Sequence, residues 1–506
     1  MSKNQKLNIE LYTQHDIDVI GDNIDILMKD ADKIVKTQYE PTIDEFKSVI
    51  KVVEQFIKSK NRIIYGGSAL NKLILNKNKN AGIYGEFDMP DLEFYSPEPV
   101  KDLKDLCDLL FSKHFKIVQG SQAQHDATYK LFVNIQEIGD ISYVPAFIYN
   151  KMPYVTIDGL RYIHPKFMYI DYLRMYTDPL MSFRRLEKAI PRGMALLQYY
   201  PLEVGSGKMK YDILPNTCSN IIKDISELIN KSMTMMHVGT YAVKLYTIDK
   251  DPELLPYELI SVEYNKDINN IYKELSQNHK ITFREYFPYF QFWDRHIEFI
   301  HENKVVLTIF KNYDRCTPYR KYDAGNIASF QQVLLHHLIK YYYNVNNRLD
   351  EDNANNIVGS LIKSRNDYLK KHTKTVMDDT IFREFQINCL GKSMDGRRQY
   401  FLDMKKKKDQ GRQIIYRYNP QTDFDHKLPD FSFDNTSGNM IKNERLYTIK
   451  LNTPTNSEAE SDNSEIEIEV ENTTEGLPPT IKRSIFNKYE SETKYPFYDT
   501  DYTTEF

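Results

Sequence analysis

Asp91 and Glu93 stand two residues apart in the stretch MPDLEFYS, residues 89–96. On an extended strand such a pair faces one side, where two carboxylates repel unless a cation lies between them. Oxygen donors of this hardness imply Mg2+ or Mn2+. An isolated Asp-x-Glu more often decorates a solvated strand face. Here the flanking Met89, Leu92, Phe94 and Tyr95 argue for an interior strand, on which uncompensated carboxylates would be costly. A third acid, Asp140 in EIGDISYVP, precedes an apolar segment on a later strand; alone it would read as a turn or cap residue. Three carboxylates from two adjacent strands are what two-metal nucleotidyl transfer needs: one metal lowers the pKa of an attacking hydroxyl, the other holds a triphosphate and its leaving pyrophosphate. In that scheme Asp91 and Glu93 touch the metals, and Asp140 orients the one that activates the nucleophile. Asp88 competes for a carboxylate role, but only Asp91 shares a strand face with Glu93.

A triphosphate needs donors as well. In IIYGGSALNKLIL, residues 63–75, an apolar run breaks at Gly66-Gly67-Ser68 and resumes with helical spacing at Ala69, Leu70, Leu73 and Ile74. Glycine lets a backbone approach a phosphate closely, a helix N-terminus presents free N–H groups, and a serine hydroxyl adds a donor. By itself a Gly-Gly turn before a helix is more often only a turn. Further on, SFRRLEKAIPR, residues 182–192, gathers Arg184, Arg185 and Lys188 on about one helical turn with Arg192 just beyond. The cluster could neutralise phosphates or form a solvated basic face with Glu187 as partner.

The elements that must position these residues follow from apolar spacing. Ile43, Phe46, Val49, Ile50 and Val53 predict a helix before the glycine turn, and Met89 to Ser96 a strand. Pro97 and Pro99 open a helix with Leu103, Leu106, Cys107 and Leu110 on one face. The alternation in YKLFVNIQEIGDISYVPAFIY predicts further strands. The pattern then recurs. HVGTYAVKLY, residues 237–246, places Gly239 on Gly66 and Ala242 on Ala69. PYELISV follows, and then a helix with Ile268, Ile271, Tyr272 and Leu275 on one face. This spacing describes two halves of like topology, joined near residues 202–212. In the second copy Tyr241 replaces Ser68, Pro256 falls on Asp91 and Glu258 on Glu93, so the acid pair is broken. Reversing the charge of Glu258 is accordingly expected to leave turnover intact.

With 506 residues the chain exceeds what a single core supports. A net charge of -4 argues against a uniformly basic nucleic-acid binder, but the charge is uneven. Residues 396–418, GRRQYFLDMKKKKDQGRQIIYRY, join Lys405, Lys406, Lys407, Lys408 and Arg412 to aromatics that could stack on unpaired bases; a solvated charged loop reads as well. Residues 456–476 are acidic and Ser/Asn-rich, the composition of a flexible tail. Cys107, Cys218, Cys316 and Cys389 form no CxxC pair and read as reduced thiols, with neither a zinc site nor a disulfide. No run of about 18 apolar residues suggests a membrane span, and the start has no signal-peptide core, so an intracellular soluble protein is expected.

The order GGSA, helix, DLE, then Asp on a later strand resembles the polymerase-β-type nucleotidyltransferase superfamily. More closely, YGGSALNKL, DMPDLEFYSPEP, HDATYKLFVN, GDISYVP and SFRRLEKAIPR together resemble the poly(A) polymerase catalytic subunit of nucleocytoplasmic large DNA viruses, the poxvirus and mimivirus type. The likeness covers about residues 63–192, and the second half only through the repeat. It implies an α+β fold in which a nucleotidyltransferase mixed-sheet domain precedes a second, degenerate domain of similar topology. It also implies template-independent transfer of AMP from ATP to an RNA 3′ end, dependent on Mg2+ or Mn2+. Gly66, Gly67, Ser68, Arg185 and Lys188 would hold the nucleotide and Asp91, Glu93 and Asp140 the metals. The expected organisation is a helical segment over 1–60, the catalytic domain over 61–201, an inactive second domain over 213–385, a basic RNA-binding segment over 386–450 and an acidic tail over 451–506. Partners would be the RNA 3′ end, ATP, and a second copy or a viral processivity subunit, in the host cytoplasm, at the viral factory or in the virion. A uridylyl or CCA-adding transferase, a small-molecule nucleotidyltransferase and a catalytically silent RNA-binding subunit are the alternatives.

Overall fold

Alternation and helical spacing resolve into two mixed β-sheets flanked by helices in a computed structural model that describes residues 11–38, 43–85, 88, 90–123, 127–247, 254–286, 288–312, 315–322, 325–345, 351–391, 417–423, 448–449 and 470–471. The first half runs α1 (Gln14–Gln38), α2 (Ile43–Ser59), β1 (Ile63–Ile64), α3 (Gly66–Lys77), β2 (Phe94–Ser96), α4 (Pro99–Ser112), β3 (Val118–Gln122), β4 (Thr128–Val133), β5 (Gln136–Tyr143), α5 (Ala146–Tyr149), β6 (Tyr154–Ile157), β7 (Leu160–Ile163), α6 (Pro165–Tyr176) and α7 (Pro179–Tyr199). The second continues with α8 (Ser219–Lys231), β8 (Met235–His237), α9 (Thr240–Thr247), β9 (Tyr257–Ser261), α10 (Tyr264–Asn278), β10 (Ile281–Tyr286), β11 (His296–His301), β12 (Lys304–Lys311), β13 (Thr317–Tyr322), β14 (Gly325–Ala328), α11 (Phe330–Val345) and α12 (Glu351–Lys371). Two short edge strands, β15 (Cys389–Leu390) and β16 (Arg417–Tyr418), follow.

The strand orders are β16-β3-β4-β5-β2-β1-β7-β6 and β10-β11-β12-β9-β8-β14-β13-β15. Without the late additions β16 and β15, seven positions match in order. They match in direction too: β5 lies parallel to β2 as β12 does to β9, and β1 parallel to β7 as β8 to β14, the other neighbours being antiparallel. Even the turn that opens α4 repeats at α10. Ser96 Oγ donates to Asp102 at 2.5 Å and accepts the Glu98 N–H, and Ser261 Oγ does the same with Asp267 at 2.5 Å and the Glu263 N–H. The repeat in the sequence is therefore a repeat in topology.

One core runs through both halves. α6 joins them: the Phe167 ring lies 4.9 Å from Phe292 and 5.2 Å from Tyr342, and Lys166 Nζ donates to Asn355 at 2.9 Å. α1 differs from every other helix. Ile17, Ile20, Ile24, Leu27, Met28 and Ile34 are all exposed along it.

Two expectations need correction. The strand read over 89–96 is regular only from Phe94, although single ladder bonds to both neighbours run one step further back: Leu92 N–H donates to Ile138 at 2.9 Å, and the Glu93 carbonyl accepts from Tyr65 at 2.9 Å. Asp91 and Glu93 thus lie on the extended segment entering β2. Cys316 and Cys389, 73 residues apart, are joined as a disulfide where β13 meets β15, whereas Cys107 and Cys218 are buried free thiols. Spacing gave no sign of the pairing, since only the sheet edge brings the two together. Among the described residues no helix is long and apolar enough to cross a membrane.

Candidate active site

Register brings the three acids to one face. Phe94 pairs with Ile141 in parallel, so Glu93 and Asp140, one residue earlier on each chain, lie side by side with Asp91 two residues further back. Gly139 permits this: a methyl group there would overlap the Leu92 carbonyl, so any larger residue would push β5 off the DLE segment. Asp140 is fully buried, Glu93 nearly so, and Asp91 half-buried.

The glycine turn closes over the same acids. Gly66 has φ +70°, a left-handed conformation that favours glycine, and a side chain there would collide with the Glu93 carboxylate. Glu93 Oε2 accepts the Gly67 N–H at 3.1 Å, and the Ser68 hydroxyl donates to the Asp91 carbonyl. The turn therefore anchors the acids in this state, and Ser68 serves the DLE backbone. α3 begins here without a side-chain cap, leaving N-terminal amides for an anion.

Arg192, from the basic cluster of residues 182–192, and Tyr84, to which the sequence gives no role, converge on Gly67. Arg192 Nη1 is 3.5 Å from where a Gly67 Cβ would stand, and Arg192 Nη2 donates to the Tyr84 hydroxyl at 3.3 Å. Arg192 follows Lys188 by four positions and Arg185 by seven, one and two turns along α7. Arg185 is half-buried and Lys188 exposed. Spacing along 182–192 already held the signal for Arg192. Tyr84 had none, since the loop before Asp91 offers no periodicity. Asp88, the competing acid, instead accepts the Gly85 N–H at 2.7 Å on that loop.

Lys130 is the other residue whose role sequence did not show. It faces Asp140 across β4 and β5, with Nζ 3.8 Å from Oδ1, and it forms an ion pair with Glu137. Burial pulls its pKa down, but Asp140, Glu137 and Asp91 outweigh burial and the net shift is upward. The Tyr65 hydroxyl is pushed well up by burial, then by Glu93 and Asp140. The acids raise both groups, Lys130 against burial and Tyr65 in addition to it.

Hard oxygen donors on one face suit a divalent cation. As the side chains stand, Glu93 engages Gly67 and Asp140 faces Lys130, and among the described residues no three His, Cys, Asp or Glu groups are close enough to enclose a metal. Lys405, Lys406, Lys407, Lys408 and Arg412 lie outside the described residues.

In the second half the same register positions hold different chemistry. Val238 N–H donates to Glu258 as Tyr65 does to Glu93, and Leu259 pairs with Ile309 as Phe94 does with Ile141. Asp91, Glu93 and Asp140 therefore correspond to Pro256, Glu258 and Thr308. Glu258 is buried and bound by His336 Nε2 at 2.9 Å and Lys340 Nζ at 2.5 Å. Burial raises its pKa, but Lys340, His336 and His337 reverse this and hold it well below the carboxylate range.

Comparison with known proteins identifies relatives of the whole chain. Residues 51–182 match the family model "Poly(A) polymerase catalytic subunit", and residues 253–451 match "APMV, Putative poly(A) polymerase, catalytic subunit, C-terminal". The chain is 32% identical to the "Putative poly(A) polymerase catalytic subunit" of Acanthamoeba polyphaga mimivirus, over 92% of this chain and 89% of that one. A protein of the same description from African swine fever virus is 30% identical over 36% of this chain and 39% of its own. The crystal structure of the Megavirus polyadenylate synthase superposes with a TM-score of 0.78 at 32% identity, covering 88% of this chain and 93% of that one.

Proposed function

This chain belongs to the poly(A) polymerase catalytic subunit family of large DNA viruses and is a polynucleotide adenylyltransferase, and from that premise we propose that Asp91, Glu93 and Asp140 carry the transfer of AMP from ATP to the 3′ end of viral mRNA. The observation that carries this reading is the convergence of those acids on one face beneath the Gly66–Ser68 turn. The RNA 3′ hydroxyl attacks the α-phosphorus, the bond to the bridging oxygen breaks, and pyrophosphate leaves. Two Mg2+ or Mn2+ ions held by Asp91, Glu93 and Asp140 would supply activation of that hydroxyl and charge neutralisation at the leaving group. Gly67 and the first amides of α3 receive the triphosphate, with Arg192 at the turn and Arg185 and Lys188 behind it on α7. Tyr84 fixes the Arg192 guanidinium.

Lys405, Lys406, Lys407, Lys408 and Arg412 track the RNA backbone. The exposed apolar residues of α1 supply a surface for a second copy or a processivity subunit, and the site of action is the host cytoplasm. Purified protein with a labelled short RNA, each NTP separately and either metal tests the reading. The expected result is a ladder with ATP alone, lost without metal and in Asp91→Ala. Extension with UTP or CTP would overturn the base assignment, and RNA binding without extension would overturn the catalytic one.

A further inference from the structure

We propose that Lys130 is the built-in counter-ion of the acidic site: a positioning residue that neutralises Asp140 in the cation-free protein and yields that carboxylate when a divalent metal arrives. The proposal rests on the metal reading of Asp91, Glu93 and Asp140 given above.

Lys130 is 7% exposed, and a buried ammonium persists only where it is paired. Its two partners differ in kind. Glu137 is in direct ion contact, while Asp140 Oδ1 stands at 3.8 Å, beyond a good hydrogen bond but well within strong electrostatic reach. A β-bulge makes the double pairing possible. Lys130 pairs with Asp140 and Phe132 with Glu137, the register slipping between Leu131 and Phe132, so that Glu137 and Asp140 reach one face although they are three apart in sequence. A metal that takes Asp140 would leave Lys130 still paired with Glu137. The handover therefore strands no buried charge.

The repeat supplies the control. β11 and β12 have the same bulge, between Phe299 and Ile300, and the corresponding positions are Glu298 for Lys130, Val305 for Glu137 and Thr308 for Asp140. A lysine required by the sheet itself would be expected in both halves. Instead it is absent where Asp91 and Asp140 have become Pro256 and Thr308. The acid that remains there, Glu258, is neutralised from another element by Lys340 of α11 and hydrogen-bonded by His336 of the same helix. Lys130 thus goes with the acids, not with the fold.

The test is Mn2+ binding to the full chain without RNA or ATP, read from the loss of the free Mn2+ electron paramagnetic resonance signal and from thermal melting. Lys130→Met should bind Mn2+ about 10-fold more tightly than wild type, because the metal no longer displaces a competing charge. Its metal-free melting temperature should fall, and saturating Mn2+ should close the gap. Lys130→Arg should stay near wild type. Should Lys130→Met fail to fold, the double variant Lys130→Met/Glu137→Gln removes the tight partner too and should show the same gain in Mn2+ affinity. Unchanged or weaker Mn2+ binding in these variants would overturn the proposal, as would a loss of ATP affinity with Mn2+ binding untouched, which would make Lys130 a triphosphate ligand. Asp140→Asn separates the two levels. Weakened Mn2+ binding in that variant supports the metal reading on which the proposal stands, and unchanged binding overturns that reading and the proposal together.

Discussion

The two halves share a strand order, a bulge and a Ser-Asp turn, yet they treat one acidic position in opposite ways. In the first half Glu93 sits beside Asp140 and Asp91, and its carboxylate accepts a backbone N–H of the glycine turn. In the second half Glu258 sits beside Thr308 and Pro256 and is locked by two basic side chains of α11. A cluster of like charges is costly to fold and useful for holding a cation, whereas a buried acid paired with fixed bases costs less and offers a ligand nothing. On the proposed reading the same fold serves chemistry once and structure once.

The largest expected effect breaks this contrast on the catalytic side. Asp140→Asn keeps shape and removes charge, so adenylate incorporation should fall by roughly 10³-fold while the folded protein persists. The same loss is expected for Asp91→Asn. Full activity in either, measured by primer extension with ATP, would remove the acids from the mechanism.

The contrast breaks on the structural side at Glu258. Sequence alone implies that reversing this charge leaves turnover largely intact, because the acid pair is broken there. The structure adds a cost in stability: a lysine at this position would be buried against Lys340 and His336 in place of the acid that pairs with them. Glu258→Lys should cost roughly 3 to 5 kcal/mol in urea unfolding. Activity lost at intact stability would mean that the second half is catalytic after all.

A smaller effect sharpens the comparison through pH. Burial, and next the neighbouring His336, lower the pKa of His296 to about 3. As pH falls below about 6.5, the unfolded chain takes up a proton that the folded chain refuses, so stability is lost progressively down to the folded value. This amounts to about 2 kcal/mol between pH 6.5 and pH 5. The depressed Glu258 acts in the same direction, its contribution present above the ordinary carboxylate pKa and lost as pH falls further. Melting temperatures of wild type and His296→Phe across that range check the slope, which should flatten in the variant.

These differences were unequally legible in the sequence. The repeat could be read because glycine before a helix and apolar residues at helical intervals are local signals, and Leu103, Leu106, Cys107 and Leu110 are indeed all buried. The acids could be read because their spacing carries chemistry. The partners could not: His336 and Lys340 lie 78 and 82 residues beyond Glu258, and the bulge that turns Glu137 toward Lys130 leaves no trace in alternation. The segment before Phe94 reads as strand from its apolar company, and its backbone does bond both neighbouring strands, but without the regular ladder that begins at Phe94.

The smallest effect concerns the glycine turn, where the halves differ in what stands over it. In the first half Arg192 reaches Gly67 from α7 and is steadied by Tyr84; in the second the corresponding turn carries Thr240 and Tyr241, and Tyr241 packs 4.6 Å from the His237 ring. A cation over a helix N-terminus adds charge to amides already disposed toward an anion. Arg192→Ala should therefore raise the KM for ATP about 10-fold with a smaller change in kcat, as expected for a contact made equally in the ground and transition states. Tyr84→Phe removes only the hydroxyl that holds the guanidinium, so its effect should be in the same direction and weaker. If Arg192→Ala instead lowered kcat at unchanged KM, the arginine would be acting on the developing pyrophosphate charge, and the turn would belong to the chemical step.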